Sequence, residues 1–302
     1  MGLYLGIDGG GTQTRCLVAD QDGNILGQGL AGPSNCLAVG TGAAAAAVMA
    51  AAERALEEAG RSMGDVAAVC IGLAGAGRPK EQAEVAAALS FPPAARVQVV
   101  PDARIALAGA LGGQPGVIVI AGTGSIAFGL NSRGETLRAG GWGWLLGDEG
   151  SGLDLGRSAL KAALAAYDGT GPETVLRERV CAAWGLTSPD EAVPRIYADV
   201  AAARGLMASL APLVSEAADE GDAVALEILS AAGRSLARLA AAVLRRLDVP
   251  GAPVAAVGGV LTNCRPLSEA FAAAVPQEAP GSRVIQPLGS PAEGAVLLAR
   301  QL

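Results

Sequence analysis

The chain has 302 residues, 51% of them apolar, and a formal net charge of −7; its pI is near 4.8 and its mean hydropathy +0.39. That length suits two domains, and the acidic balance argues against nucleic acid as a partner. The longest apolar runs, near 117–121 and 254–257, fall far short of the ~20 residues of a membrane span, and with no basic-then-apolar leader opening the chain a cytoplasmic protein is expected.

An apolar strand at Leu3–Ile7 enters the turn Asp8-Gly9-Gly10-Gly11-Thr12 and leaves as a strand over Gln13–Ala19. Gln21-Asp22-Gly23-Asn24 reads as a hairpin turn and Ile25–Leu30 as a third strand. Alanines recur through Ala43–Ala59, broken by Arg54, Glu57 and Glu58, as in a helix of a water-soluble protein. Val66–Val69 then leads through a glycine-rich segment and a helix to a strand at Arg96–Val100 and a helix over 103–111. Gly112-Gly113-Gln114-Pro115-Gly116 is the natural hinge.

The second half repeats this outline. A strand at 117–121 enters Gly122-Thr123-Gly124-Ser125, returns as Ile126–Leu130, turns at Asn131–Gly134 and continues as Thr136–Ala139. Residues 151–250 are almost wholly helical in pattern and contain an insertion of about 75 residues relative to the first half. Val254–Val257 then leads into Gly258-Gly259, a helix around 266–274, a strand at Arg283–Gln286 and a final helix from Pro291. A mixed sheet built twice, with the ligand held between the halves, is the architecture these patterns predict.

The chain contains no histidine. Serine–histidine hydrolysis, phosphohistidine relays and histidine-ligated zinc are thereby excluded, so a general base is most simply a carboxylate and a metal a hard, oxygen-ligated ion. The cysteines Cys16, Cys36, Cys70, Cys181 and Cys264 lack any Cys-x-x-Cys spacing, which suggests small apolar fillers instead of a disulfide framework or cluster. Gly9, Gly10 and Gly11 allow backbone amides to approach an anion and permit positive φ, Thr12 adds a hydroxyl, and Asp8 is placed to hold Mg²⁺ through water. A plain hairpin is the alternative. Gly122-Thr123-Gly124 matches a short dinucleotide fingerprint, but the alternation of Ile126, Phe128 and Leu130 suits a hairpin and not the helix that fingerprint should open; a P-loop motif is absent. Asp102, after the strand ending at Val100, is either a helix-capping residue or, with no histidine available, the leading candidate for general base. Between Gly140 and Gly152, Gly141-Trp142-Gly143-Trp144 and Asp148 offer an indole face and a carboxylate suited to a sugar, while Ser151 and Asp154 resemble a capping box. Gly32-Pro33-Ser34-Asn35 reads equally as a turn, and Gly258-Gly259 as close helix–sheet packing or a bare floor for an adenine ring.

This ordered set of motifs, together with Pro101-Asp102-Ala103-Arg104 and Val257-Gly258-Gly259-Val260, resembles the sugar kinase/actin/heat-shock-70 ATPase superfamily over nearly the whole chain. Within it, the chain is similar to the N-acetylglucosamine kinases and their BadF/BadG/BcrA/BcrD-type ATPase relatives. The resemblance implies an α/β fold of two actin-like (ribonuclease H-like) domains, each a mixed β-sheet flanked by helices, with a ligand cleft between them. Domains at 1–112 and 113–302 follow, the second carrying the helical insertion and a last helix, about 291–301, that packs back on the first. Residues 8–12 and 121–125 would then be phosphate loops for ATP, Gly258 and Gly259 adenosine contacts, Asp102 the catalytic aspartate and Asp8 the Mg²⁺ contact. Asn35, Ser125, Gly141, Trp142 and Asp148 would contact the amino sugar. The implied reaction is phosphorylation of the 6-hydroxyl of N-acetylglucosamine or a close hexosamine by a homodimer, glucosamine being an alternative acceptor. An ATPase activator of another enzyme is the alternative from a different class, but the cysteines that bridge such activators through an iron–sulfur cluster are missing, as is the zinc motif of the ROK kinases.

Overall fold

The computed structural model describes residues 2–302, and they divide into two compact units. The first begins with β1 (Leu3–Gly9), β2 (Thr14–Ala19), β3 (Ile25–Ala31), α1 (Cys36–Val39) and α2 (Thr41–Glu58). It continues through β4 (Val66–Leu73), α3 (Pro79–Ala88), β5 (Arg96–Pro101) and α4 (Asp102–Leu111). Its sheet has the order β3-β2-β1-β4-β5. The hairpins β1–β2 and β2–β3 are antiparallel, while β1–β4 and β4–β5 are parallel.

The second unit, Pro115–Ile285, repeats the plan with β6 (Gly116–Ala121), β7 (Ser125–Leu130) and β8 (Thr136–Gly140). Then come α5 (Gly152–Tyr167), α6 (Leu176–Trp184), α7 (Ala192–Ala198), α8 (Val200–Ala208), α9 (Ala211–Asp219) and α10 (Ala223–Arg246). β9 (Val254–Val257), α11 (Gly259–Asn263), α12 (Arg265–Glu278) and β10 (Val284–Ile285) complete it. The order β10-β9-β6-β7-β8, with β6–β7–β8 antiparallel and β6–β9–β10 parallel, matches the first sheet strand for strand. Each unit is therefore a mixed sheet flanked by helices, as expected of an actin-like domain. The strand expected over Arg283–Gln286 narrows to two residues, because it lies at the sheet edge with a partner on one side only.

After β10 the chain returns to the first unit, where α13 (Pro291–Ala299) packs on the sheet and on α4. Residues 286–302, placed in the second domain by the sequence division, thus belong by their contacts to the first unit, and the break falls at Gln114/Pro115.

Small residues govern the packing. On one face of the first sheet, Leu3, Leu5, Ile7, Cys16 and Val18 meet the buried stripe Ala44, Val48, Ala51, Ala52 and Ala55 of α2. The helix sits low because Gly27 and Gly29 of β3 have no side chain; a Cβ at Gly29 would lie 2.1 Å from the Ala51 carbonyl oxygen. On the other face, Leu17 and Ala19 meet Ala292 and Val296 of α13, as the two-residue period of a strand requires. A Cβ on Gly6 would come within 2.3 Å of the Val296 nitrogen, and one on Gly294 within 2.1 Å of the Ile105 carbonyl oxygen of α4. Close contact of this kind supplies dispersion attraction where large side chains are scarce; Phe271 is the largest fully buried side chain.

Cys16, Cys36, Cys70 and Cys264 are buried and Cys181 is half-buried, none of them paired. Burial pushes the Cys70 thiol up to about 12, so it behaves as a small apolar side chain. Among the described residues no helix is long and apolar enough to cross a membrane.

Backbone atoms of α13 and the stiff, β-branched side chain of Val296 face Gly6. Gly6→Ala is therefore expected to cost about 1–3 kcal/mol, read as a lower urea midpoint at unchanged slope. An unaltered midpoint would show that α13 is not seated as described.

Candidate functional site

In the first unit, β1, β4 and β5 run parallel and end along one edge, with Asp8 paired to Gly72 and Gly72 to Val100. Asp102 follows β5 directly, so register alone brings both aspartates to that edge. Asp102 is exposed in the first turn of α4, where Pro101 is the cap, and its Oδ1 accepts the Ala103 amide at 2.8 Å. Asp8 is partly buried. Burial raises its pKa above 3.8, the negative charge of Asp102 raises it further, and Arg15 opposes both. The carboxylates thus feel one another electrostatically.

The turn leaving Asp8 closes as a hairpin, with the Gly10 amide donating to the Gln13 carbonyl at 3.0 Å. None of Gly9, Gly10 and Gly11 has positive φ, so the conformational reason for three glycines gives way to a steric one. A Cβ on Gly9 would strike Leu73 and Ser34 at 2.2 and 2.3 Å, whereas one on Gly11 would meet nothing within 4 Å. No contact among the described residues accounts for Gly11. Thr14, fully buried, has its Oγ1 2.7 Å from the Ser34 hydroxyl and 2.8 Å from the Gly32 carbonyl, tying the turn to the segment after β3.

A hollow of about 320 Å³ lies over this turn, lined by Asp8, Gly10, Gly11, Thr12, Arg15 and Ser290 among others. Ser290 caps α13, accepting the Glu293 amide at 3.3 Å while the Glu293 carboxylate accepts the Ser290 amide at 2.6 Å. The positive end of α13 and the Arg15 guanidinium make the hollow suited to an anion. Asn35, expected at the sugar, caps α1: its Oδ1 accepts the Leu37 amide at 3.1 Å. Among the described residues its Nδ2 donates to no acceptor.

In the second unit the loop Gly122-Thr123-Gly124 also closes a hairpin, with the Gly122 amide donating to the Gly124 carbonyl at 2.9 Å. The hairpin expectation therefore holds over the dinucleotide fingerprint. The first amide of α5, on Gly152, donates to the Gly122 carbonyl at 2.8 Å and so brings a sixteen-residue helix to the loop by its positive end. Ser151 caps α5, but the return bond from Asp154 goes to the Gly150 amide, one residue earlier than a capping box requires. Gly258, at φ +96°, lies against the end of β6, where a Cβ would meet the Ala121 carbonyl at 2.5 Å. Beside it is a pocket of about 400 Å³ whose floor includes Gly259 and Val260 and whose wall is one face of α9. Its size, and a lining that mixes apolar with polar groups, suit a small organic ring with polar substituents. Gly152 touches both parts, since a Cβ there would lie 3.3 Å from both the Gly122 carbonyl and Val260.

Ser125 and Asp148 meet behind this loop. Asp148 is buried at φ +65°, an uncommon conformation for a residue with a side chain. Its Oδ1 accepts the Ser125 amide at 3.3 Å, and the Ser125 hydroxyl donates to the Glu149 carbonyl at 2.8 Å. Both side chains brace the loop, leaving Oδ2 of Asp148 without a donor among the described residues. Gly141, at φ +69°, donates its amide to the Ser125 carbonyl at 2.9 Å. Trp142 is 63% exposed, but the Arg138 guanidinium lies 4.5 Å over its ring. One face of the indole is covered, so a sugar would have only the other.

Arg15, Ser290, Arg138 and the α9 face formed by Pro212, Ser215, Glu216 and Asp219 had no place in the sequence expectations. Arg15 is the one exposed residue of β2, and the α9 residues have i, i+3, i+4, i+7 spacing. Among the described residues no three potential metal ligands cluster. Mg²⁺ at Asp8 would thus share its coordination with phosphate and water, as is usual for this ion. The mutual repulsion of Asp8 and Asp102 is what a divalent cation relieves, so the residues fit it.

A carboxyl group whose folded-state pKa is raised is relatively favourable in acid, and this advantage is lost as the pH rises through that value. Ionised Asp8 therefore weakens the protein at neutral pH. Asp8→Asn should melt at a higher temperature than the parent near neutrality, with the difference vanishing on acidification toward 3.8. A constant difference across a series of thermal melts would contradict this.

The model of the BadF/BadG/BcrA/BcrD ATPase family matches residues 5–299. The chain is 34% identical to an N-acetylmuramic acid/N-acetylglucosamine kinase of Clostridium acetobutylicum, over 99% of both chains. It is 30% identical to an N-acetyl-D-glucosamine kinase of Dictyostelium discoideum, covering 98% of this chain and 97% of that one. Among solved structures, a Chromobacterium violaceum protein provisionally described as an N-acetylglucosamine kinase superposes with a TM-score of 0.76 at 32% identity, covering 99% of both chains. With a match spanning almost every residue of both units, the chain belongs to the BadF/BadG/BcrA/BcrD ATPase family.

Proposed function

We propose that the chain transfers the γ-phosphoryl group of ATP to the 6-hydroxyl of N-acetylglucosamine or a closely related hexosamine. The observation that carries this reading is the meeting of a hairpin with exposed amides, Asp8 and Asp102 at the carboxyl ends of neighbouring strands of one sheet. The near full-length likeness to hexosamine kinases supports it.

In this mechanism Asp102, exposed at the start of α4, orients the acceptor hydroxyl and takes its proton late. Phosphoryl transfer has a loose transition state, so positioning and electrostatics do most of the catalytic work. The amides of the two Gly-Thr turns, Arg15 and the positive ends of α13 and α5 balance charge on the phosphates. Bound with ATP, Mg²⁺ supplies charge neutralisation at the phosphate oxygens, and Asp8 is the residue that would hold it through water. Asn35 with its free Nδ2, Asp148 with its free Oδ2, and the open face of Trp142 are the acceptor contacts. Gly258 and Gly259 floor the adenosine pocket. Cytoplasmic location and a homodimer are part of the same proposal.

The test is a coupled assay with ATP, Mg²⁺ and a panel of N-acetylglucosamine, N-acetylmuramic acid, glucosamine and glucose, the phosphorylated carbon being located by nuclear magnetic resonance. Phosphate at carbon 6 of an N-acetylated hexosamine is expected. ATP hydrolysis that no sugar stimulates would instead favour a switch ATPase. Asp102→Asn should lower kcat by about 10²–10⁴-fold with both KM values little changed; near-normal turnover would remove Asp102 from its role.

A further inference from the structure

The segment that leaves β8 is the least self-supporting stretch near the site. Gly140, Gly141 and Gly143 all have positive φ, at +76°, +69° and +84°, and Trp142, Leu145 and Leu146 are exposed. A run so rich in glycine loses much backbone entropy when it is held in one conformation. One side chain makes three of the contacts at its start, beside the Gly141 amide's bond to the Ser125 carbonyl. Nη1 of Arg138 donates to the Gly140 carbonyl at 3.1 Å and to the Gly141 carbonyl at 3.3 Å. The same guanidinium stacks on Trp142 at 4.5 Å from the ring centre. Among the described residues Arg138 has no acidic partner within ion-pair distance, unlike Arg133, five residues earlier in the turn before β8, which pairs with Glu135. It is spent wholly on the loop.

We propose that Arg138 is the positioning residue of the acceptor loop: it clamps Gly140 and Gly141 and fixes the indole of Trp142 so that a single face is presented to the sugar. This rests on the reading of Trp142 as an acceptor contact. The guanidinium is suited to the task because it is planar, so it can lie flat on the indole while its N–H groups, in the same plane, point at the two carbonyls. A lysine ammonium offers a point charge without the plane, and cannot do both. The position is set by the strand: Arg138 lies on β8, paired with Phe128 of β7, so the clamp is anchored in the sheet and the loop is held from it.

The consequence lies chiefly on the acceptor side. Arg138 itself donates no hydrogen bond to the Gly122–Gly124 turn or to the pocket beside Gly259, so its loss should fall mainly on the acceptor and only weakly on ATP, through the Gly141–Ser125 bond.

The experiment uses the full chain, with Arg138→Ala, Arg138→Lys and Trp142→Phe as variants. Arg138→Ala is expected to raise the KM for N-acetylglucosamine about tenfold while kcat and the KM for ATP stay within about twofold, the size of one lost polar anchor. Arg138→Lys is expected to restore less than half of the loss. Acrylamide quenching of the Trp142 emission, taken as the difference from Trp142→Phe, should rise in Arg138→Ala. An unchanged acceptor KM with unchanged quenching would overturn the proposal. So would equal damage to both substrates' KM values together with a lowered melting temperature, which would mark a general structural role. If no sugar is phosphorylated by the parent chain, the proposed function fails, yet the quenching comparison still decides whether Arg138 holds Trp142.

Discussion

The contact between the Gly6 backbone and α13 underlies the phosphate hollow. Any side chain at Gly6 would push against the Val296 amide and the Ala292 carbonyl, and Gly109 and Gly294 permit the same intimacy between α4 and α13. The helix therefore rests on the sheet with almost nothing between the two backbones. That seating is what delivers its first turn, with Ser290, to the hollow beside Asp8 and Arg15. The packing of the fold and the anion-binding character of the site are consequences of one steric condition.

A second condition is the shared edge of three parallel strands. Register places Asp8 and Asp102 near enough for each to oppose the other's charge. A sheet optimised for stability alone has no reason to gather two acids there. Arg15 offsets part of the repulsion, but only part, since Asp8 still titrates above its ordinary value. Polar strain of this sort is characteristic of sites built to receive a cationic or polyvalent ligand. In the second unit the corresponding strain is conformational, held in the positive φ of Asp148 and relieved by its bond to the Ser125 amide.

Much of the fold was legible from strand alternation and turn chemistry. Both glycine hairpins, the third strands, the alanine helix and the helical insertion stand within a residue or two of where pattern places them, because each combines a clear period with a clear punctuator. The short helices α1 and α11 were not legible, since a single turn has no period to read. The roles of individual residues were less so. Gly9 to Gly11 could be read as a need for positive φ, yet at Gly9 the reason is space, and only neighbours distant in sequence, Leu73 and Ser34, show it. Trp142 looked like an open platform because nothing in a linear reading shows that Arg138, four residues earlier, folds over it. The α9 wall was equally hidden, its exposed polar residues being what any surface helix carries. Membership of the final seventeen residues in the first unit also depends on contacts made across most of the chain's length.

That last feature bears on how the protein is made. The second unit, Pro115–Ile285, lies wholly inside the sequence of the first. A nascent chain can thus close its inner unit before residues 286–302 have emerged, but the outer one must wait, with the apolar face of Leu17 and Ala19 bare until α13 is available. Domains usually mature from the amino terminus onward; here the order is inverted, and the half that starts first is finished last.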